Sequence, residues 1–317
     1  MEIFSNPKWI DYSQLRWDTP ESVPSAVFDE INQRLDKLAG GQQPLVSVVI
    51  PAWNEGTNIV RTLYALSHSK VSFPVEIVVV NNNSTDSTGD LLAKMHVKNV
   101  FEGIAGCGPA REAGQRAASG KYILMGDADV YYPPQWIEGM TKKLQQPGVS
   151  AVYGRYSFLG TKTKHRWKLF LYESIRDLLV EIRHTNQPFM NSLGMSMGYV
   201  KEYGLKIGFV SKNIRGEDGR MCYDLMSYGK VVQLRGHRYR VWTMPRTLDK
   251  EPSLWGSLMA RIAVEMARFS RNFYKLAPHD TKSSSNFDPS SLKHFKTYRD
   301  VHKGGNSKDE HIQSSGR

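Results

Sequence analysis

The stretch LVSVVIPAWNEGTNIVRTLYAL (45–66) decides the fold, because a short β-branched apolar run passes directly into a helical pattern. The run ends at Pro51, and Ile59, Leu63 and Leu66 then recur at the spacing of one helix face. A strand, a loop and a helix are therefore predicted in that order.

The same order repeats along the next hundred residues. Leu91 and Leu92 indicate a helix, which Ser84 or Thr85 is expected to cap, and another helix is predicted around residues 109–118. The further candidate strands are VEIVVV (75–80), GKYILMG (120–126) and VSAVYGR (149–155). Apolar strands that alternate with helices predict βαβ units, and hence an α/β fold with a mostly parallel sheet flanked by helices.

Composition argues against several classes of protein. Cys107 and Cys222 form no CxxC pair, so neither a disulfide framework nor a zinc site is predicted. No stretch approaches the roughly 20 apolar residues that span a bilayer, and no signal-peptide pattern is present, so a cytoplasmic protein is expected. The formal net charge of +11 is compatible with an anionic partner and equally with an ordinary basic surface. Nucleic acid is not expected, because no zinc finger, RNP-like motif or basic run with aromatics occurs.

Polar side chains follow three of the predicted strands. The carboxyl ends carry Pro51-Ala52-Trp53-Asn54-Glu55, then Asn81-Asn82-Asn83-Ser84-Thr85-Asp86, then Asp127-Ala128-Asp129. Ligands of open parallel sheets bind outside the carboxyl ends of the strands. The three loops are therefore predicted to converge on one binding edge.

The Asp127-Ala128-Asp129 loop suits a hard cation. In extended geometry, two carboxylates two residues apart project to the same side. Magnesium and manganese favour oxygen ligands, and Mg²⁺ in phosphate chemistry is typically held by one or two carboxylates plus the substrate's phosphates. Such a pair in a turn also occurs as solvated capping residues, but its position at a strand terminus favours a metal and diphosphate site.

Glu217-Asp218 lies between Gly216 and Gly219 at the start of an amphipathic helix pattern. One interpretation is an N-terminal capping pair, because the helix dipole favours carboxylates there. The other is a general base, since transfer to a hydroxyl requires a group that accepts the proton of the attacking oxygen.

Four ordered motifs resemble those of the inverting family 2 glycosyltransferases. They are SVVIPAWNE (47–55), VVVNNNSTDST (78–88), GPAREAGQRAASGKYILMGDADV (108–130) and GEDGRM (216–221), within roughly residues 45–245. The resemblance implies a Rossmann-like GT-A fold, a nucleotide-diphosphate sugar donor and a divalent cation, Mn²⁺ or Mg²⁺. It also implies transfer with inversion to a hydroxyl of a saccharide or lipid-linked saccharide.

The resemblance assigns roles to the motif residues. Pro51, Ala52, Trp53 and Glu55 would lie against the nucleoside of the donor, and Arg111 would serve the nucleotide end. Asp127 would lie near the ribose or donor sugar and, with Asp129, hold the metal. Asp218 would be the base, with Glu217 beside it.

The sequence departs from the family pattern at the second motif. Asn81 and Asn82 stand where Asp is usual at one or both positions and accepts the N–H of the base, and Glu112 stands where Asn is common. An Asn carbonyl still accepts that bond, although without charge assistance. The identity of the donor's nucleobase therefore stays open.

Two later residues match positions that serve the phosphates in some members. His237 would supply a further metal or phosphate contact, and Arg246 would face the diphosphate. A surface histidine in a basic hairpin and a solvated loop arginine are the alternatives. The segment KVVQLRGHRYRVWT (230–243) is predicted to form paired strands.

Four regions are predicted along the 317 residues. They are an N-terminal helical appendage (1–44), a nucleotide-sugar-binding half (45–155), an acceptor-binding half with the base and a C-terminal helix (156–278), and a disordered tail (279–317). The basic helical stretches 161–184 and 254–276 either pack on the sheet or hold the protein peripherally on the inner face of the membrane.

Two other functions are weighed against glycosyl transfer. A sugar-nucleotide pyrophosphorylase would normally carry a Gly-rich, basic phosphate loop after the first strand, and PAWNEGTN (51–58) is not one. A non-catalytic nucleotide-sugar-binding protein is the alternative that Asn81 and Asn82 suggest.

Overall fold

A computed structural model describes residues 4–10, 17–210 and 216–245. Seven strands form the main sheet. They are β1 (Val46–Ala52), β2 (Val75–Asn81), β3 (Lys98–Phe101), β4 (Tyr122–Met125), β6 (Val149–Tyr153), β8 (Met197–Val200) and β9 (Lys230–Gln233). Their order is β3-β2-β1-β4-β8-β6-β9.

The main sheet is parallel except for one strand. β8 runs antiparallel to β4 and to β6, while every other neighbouring pair is parallel. The predicted mostly parallel sheet is thus confirmed. Its carboxyl-terminal edge gathers the ends of β1, β2, β4, β6 and β9. β8 begins at Met197, at the end of the stretch NSLGMSMG (191–198), which carries no alternating pattern.

A small second sheet covers one end of the fold. It consists of β5 (Val130–Tyr131), β10 (Val241–Thr243) and β7 (Tyr156–Phe158), in the order β5-β10-β7. β9 and β10 therefore belong to different sheets, and the predicted pairing within 230–243 is wrong. Gly236 (φ 112°) and a 3-10 turn at His237–Tyr239 separate the two strands.

Eight helices of the described residues flank the sheets. They are α1 (Ser25–Ala39), α2 (Thr57–Ser67), α3 (Thr88–Leu92), α4 (Cys107–Ala117), α5 (Trp136–Leu144), α6 (Arg166–His184), α7 (Lys201–Ile207) and α8 (Glu217–Leu225). α1 ends at Ala39, and Gly40 after it has left-handed dihedrals (φ 59°), which are common just beyond a helix C-terminus. The predicted cap at Ser84 or Thr85 is wrong, because α3 begins at Thr88 and the Asp86 carboxylate accepts the Thr88 N–H at 2.9 Å.

Both faces of the main sheet are packed. On one face Val48 and Ile50 share an apolar cluster with α1 and α2, and on the other Val49 and Val78 pack against α4. α4 approaches closely because residue 114 is glycine: a Cβ there would collide with Val49. The residues of α1 that enter the shared core are Phe28, Ile31, Leu35 and Leu38.

Some predictions fall on residues that the structure does not describe. These are Arg246, the helix at 254–276 and the tail at 279–317. Among the described residues, no helix combines the length and apolar character needed to cross a bilayer.

Candidate functional site

The loops after β1 and β2 are joined into one unit. The Asn54 side-chain oxygen accepts the Thr85 N–H at 2.8 Å, and the Asn54 N–H donates to Ser84 Oγ at 3.1 Å. Thr88 Oγ1 accepts the N–H groups of Glu55 and Gly56, each at 2.9 Å. Asn54 has a left-handed backbone (φ 52°), which Asn tolerates well. The edge is therefore organised before any ligand arrives.

The predicted nucleoside residues occupy different depths on this edge. Pro51 and Ala52 end β1, and Ala52 is fully buried. Trp53 projects beyond the strand with 64% of its surface exposed. The Glu55 carboxylate accepts the Asn58 amide at 3.1 Å. Trp53 is thus the large apolar side chain that this loop offers to a planar ligand.

Asn81 and Asn82 have different surroundings. Asn82 is 4% exposed, and its amide donates to the carbonyls of Glu102 and Ile104 at 3.0 and 2.7 Å. Its side-chain oxygen accepts the Gly106 N–H at 2.8 Å. Asn81 is less buried, and its side-chain oxygen accepts the Ser84 N–H at 3.0 Å. Asn82 therefore fixes the loop at 102–106, and Asn81 is the more accessible of the two.

The Asp127-Ala128-Asp129 loop follows β4 and rests on a buried tyrosine. Tyr132 Oη accepts the Asp127 N–H at 2.8 Å and donates to the Met195 carbonyl at 3.1 Å. Ala128 is buried, whereas Asp127 and Asp129 are partly exposed. Ala128 and Asp129 form a turn rather than an extended segment, so the shared side of the two carboxylates stays a prediction.

Arg111 of α4 lies at the centre of an acidic cluster. Its guanidinium is 4% exposed and pairs with Glu217 at 2.8 Å and with Asp127 at 3.3 Å. It also pairs closely with Asp218. Arg111 was expected at the nucleotide end of the donor. In the structure it lies between Asp127, a candidate metal ligand, and Asp218, the candidate general base.

Asp218 is held by two donors at the start of α8. One carboxylate oxygen accepts Arg111, and the other accepts the Gly194 N–H at 2.8 Å. Gly194 is required here, because a Cβ would collide with the guanidinium. Each carboxylate oxygen has two lone pairs, so Asp218 retains capacity to accept a further hydroxyl.

The cluster is strongly negative in a chain that is basic overall. Three carboxylates, those of Asp127, Glu217 and Asp218, share one guanidinium, and Asp129 is a charged neighbour of Asp127. Burial, and then the neighbouring Asp129, raise the pKa of Asp127 to about 6, although Arg111 opposes the shift. The Glu217 and Asp127 carboxylates raise the pKa of Arg111 in spite of its burial. The site therefore favours an added cation.

Residues 47–202 match the family model described as glycosyl transferase family 2. This match covers the three loops, Arg111 and the Asp127-Ala128-Asp129 motif. The chain carries a family 2 glycosyltransferase domain. Arg111, Asp127 and Asp129 of the acidic cluster lie within the matched residues, whereas Glu217 and Asp218 follow them along the chain.

Similar proteins support the assignment. The validoxylamine A glucosyltransferase of Streptomyces hygroscopicus subsp. jinggangensis is 33% identical over 104 residues, 31% of this chain and 25% of that protein. The chondroitin synthase of Escherichia coli is 26% identical over 178 residues, 53% of this chain and 26% of that protein. The chain thus spans about a quarter of the length of these two relatives.

A solved structure has the same fold as the glycosyltransferase domain. The mannosyltransferase of Pyrobaculum calidifontis, in complex with GDP-Man and Mn²⁺, superposes with a TM-score of 0.53 at 18% identity. The superposition covers 82% of this chain and 76% of that chain. The GT-A fold predicted from the resemblance is confirmed.

The predicted ligand set of Asp127, Asp129 and His237 is not assembled. Across the described ranges, no group of three or more His, Cys, Asp or Glu side chains is arranged to hold a metal ion. His237 precedes β10, whose Thr243 pairs with Val130 next to Asp129. The histidine therefore lies toward the other end of β10, where Arg240 and Arg166 are among its charged neighbours.

Two residues of the glycosyltransferase site escaped the sequence reasoning. Tyr132 supports the Asp127 backbone, and Gly194 supplies an N–H to Asp218. Neither belongs to a matched motif. The available signals were an aromatic residue three positions after the acidic pair and a glycine between Leu193 and Met195, and neither distinguishes this role from packing.

Proposed function

We propose that the chain transfers a sugar from a nucleoside-diphosphate donor to an acceptor hydroxyl by direct displacement with inversion. The observation that carries the proposal is the gathering of Asp127, Glu217 and Asp218 around buried Arg111, at the carboxyl edge of the parallel strands. These carboxylates come from segments about ninety residues apart in sequence, and a packing role alone would not require them to meet.

In the proposed reaction Asp218 is the general base. As the acceptor oxygen bonds to the anomeric carbon, the bond from that carbon to the diphosphate oxygen breaks. The acceptor proton passes to the Asp218 carboxylate, and the diphosphate leaves with the bonding electrons. Arg111 and the Gly194 N–H would hold the Asp218 carboxylate in its orientation, and Glu217 would share the guanidinium.

A divalent cation, Mn²⁺ or Mg²⁺, is proposed as the partner of the acidic motif. The donor set fits it, because two partly exposed carboxylates at Asp127 and Asp129 leave further coordination positions for diphosphate oxygens. The likeness to a mannosyltransferase solved with Mn²⁺ agrees with this choice. When bound, the cation would stabilise negative charge on the leaving diphosphate.

The nucleoside is proposed to lie against Trp53, with Asn81 and Glu55 at the base or ribose. Exposed Trp53 provides a stacking face, and the rigid loops limit the entropy lost on binding. Asn82 would act through the loop at 102–106 that it fixes. Arg246 remains proposed as a diphosphate contact and lies outside the described residues.

A saccharide or lipid-linked saccharide is proposed as the acceptor, and contact with an anionic membrane surface is proposed for α6. This helix exposes Trp167, Leu171 and Leu178 on one side, with Lys162 and Lys168 beside its first turn. Apolar side chains flanked by lysines are typical of helices that lie on anionic lipid.

The first test is a thermal-shift screen against UDP, GDP, CDP and dTDP sugars, each with and without Mn²⁺ or Mg²⁺. A ligand that binds only the folded chain raises its unfolding temperature by mass action. We expect a shift for one nucleotide class that requires the cation and is lost in Asp129→Ala. Failure of every donor to shift the parent protein would contradict the proposal.

The second test separates the base from the donor site. Asp218→Asn should retain the donor shift and lower turnover by about 10²–10⁴-fold, the usual contribution of a general base. Asp224→Asn is the matched control, because Asp224 lies on the same helix and pairs with Arg220 away from the cluster. Turnover of Asp218→Asn within tenfold of the parent would exclude Asp218 as the base. Donor binding by the parent without turnover would favour the non-catalytic alternative.

A further inference from the structure

A second group of charged side chains lies beneath α6, on the half of the sheet that the donor loops do not reach. We name it the arginine cluster, and it consists of Arg155, Arg176, Arg235, Arg240, Asp177 and Glu181. Four guanidinium groups share two carboxylates, so positive charge is in excess. The adjacent Arg166–Glu173 ion pair has no net charge, so it does not alter the excess of positive charge.

Asp177 is the buried centre of the cluster. Its carboxylate accepts Arg176 at 2.9 Å and Arg155 at 3.3 Å, and it also pairs closely with Arg240. With three arginines on one carboxylate, the pKa of Asp177 lies below its usual range although burial opposes this. Asp177 therefore has a structural role within the cluster.

Glu181 holds the outer part of the cluster and is more accessible. Its two oxygens accept Arg235 at 3.1 and 2.8 Å, and one oxygen also pairs closely with Arg155. The Glu181 side chain is 38% exposed and that of Arg235 is 54% exposed. A ligand anion from solvent can therefore compete with Glu181 for the same guanidinium groups.

Several polar atoms around the cluster have no hydrogen-bond partner among the described residues. Nε of Arg155 and Nε of Arg240 are buried and have no such partner. Both amide atoms of Gln233, which is 3% exposed, are buried and unpartnered as well. Because leaving a buried polar group unbonded costs about 1–3 kcal/mol, these atoms would be stabilised by a bound polar group or by water.

The cluster belongs to the same edge of the sheet as the acidic site. Arg155 and Arg235 each follow the carboxyl end of a strand, β6 and β9 respectively, and both strands run parallel to β4. Between the two sites runs one loop. Asn191 at its start donates to Tyr153 Oη at 3.1 Å, and Gly194 donates to Asp218.

We propose that the arginine cluster is an acceptor subsite that recognises an anionic group, a carboxylate or a phosphate, on the sugar acceptor. The proposal rests on the proposed function and adds the class of acceptor. The planar guanidinium forks of Arg155 and Arg235 match the geometry of either oxyanion. In the free protein Glu181 occupies these forks, and the acceptor anion replaces it.

The exchange predicts opposite effects for the two partners of one ion pair. Arg235→Gln removes a recognition group and should weaken binding of an anionic sugar by about threefold to tenfold. Glu181→Gln removes the competing anion, keeps the side-chain volume and should strengthen binding by a similar factor. If the ion pair were merely structural, both substitutions would change the affinity for the anionic sugar in the same direction.

The test titrates D-glucuronate, glucose 6-phosphate and glucose into the full chain at low salt, followed by saturation-transfer NMR. We expect at least one charged sugar to bind about tenfold more tightly than glucose, and the better of the two identifies carboxylate or phosphate. The matched controls are Arg34→Gln and Glu30→Gln, because this i,i+4 pair lies on α1, outside the cluster. Both controls should leave the affinities unchanged.

Equal binding of glucose and the charged sugars, or changes of the same sign in Arg235→Gln and Glu181→Gln, would overturn the proposal. Inorganic phosphate that binds as tightly as glucose 6-phosphate would also overturn it, because the sugar would then contribute nothing. The donor-dependent thermal shift is measured on the same variants. Loss of that shift in the parent, with charged-sugar binding as expected, would refute the proposed function and leave the anion site standing.

Discussion

Replacing Arg111 by leucine should lower stability more than any substitution of a surface arginine. The guanidinium is 4% exposed and is shared by Glu217, 10% exposed, and by the partly buried Asp127 and Asp218. Removing one partner of a buried ion pair costs about 3–5 kcal/mol, because the other charges remain without compensation. At pH 8 we expect the free energy of unfolding to fall by about this amount.

The loss should shrink as the pH is lowered. Without Arg111, the clustered carboxylates repel one another and their pKa values in the folded variant rise above those of the unfolded chain. Groups with raised folded pKa values bind more protons in the folded state, so their contribution to stability grows as pH falls. The deficit relative to the parent should therefore be smaller at pH 5.5 than at pH 8.

Urea unfolding followed by circular dichroism at both pH values measures these differences. Arg34→Leu is the control, since the exposed Arg34–Glu30 pair on α1 should contribute less than about 1 kcal/mol. Two results would refute the idea that Arg111 holds the three carboxylates together. One is a fall in the free energy of unfolding for Arg111→Leu no larger than that of the control. The other is a difference from the parent that grows toward pH 5.5.

Three further predictions concern other parts of the chain. Tyr132→Phe removes the hydroxyl that accepts the Asp127 N–H and should cost about 1–3 kcal/mol by urea unfolding and weaken the cation-dependent donor shift; an unchanged shift would contradict its supporting role. Hydrogen bonds hold the pKa of Glu76 below its usual value although burial opposes them, so its stabilising effect is present above the unfolded pKa and lost as pH falls through the folded pKa. The difference in melting temperature between the parent and Glu76→Gln should therefore narrow from pH 6 to pH 3, and a constant difference would contradict this. Replacing Trp167 and Leu178 together by glutamine should abolish sedimentation with anionic phosphatidylglycerol vesicles without changing the melting temperature; retained sedimentation would place the contact elsewhere.

Much of the donor half follows from local sequence patterns. Strands β1, β2 and β4 are apolar runs that the packing of helices on both faces demands, and each run ends in polar residues. The Asp127-Ala128-Asp129 pair could be located because strand alternation is a local property. Strand β8 could not, because it pairs with β4 and β6 and owes its conformation to those partners.

The sequence by itself determined the α/β class, because hydrophobic periodicity and the order of strands and loops can be read along the chain. It also singled out the acidic residues Asp127, Asp129, Glu217 and Asp218. Only the tertiary structure decided that Arg111 lies among Asp127, Glu217 and Asp218, that His237 lies apart from them, and that β9 and β10 enter different sheets. These facts depend on contacts such as that of Arg111 with Glu217, 106 residues apart in sequence, or on a turn between sheets. Burial and charge compensation stabilise such contacts in the folded state, and no local sequence pattern predicts them.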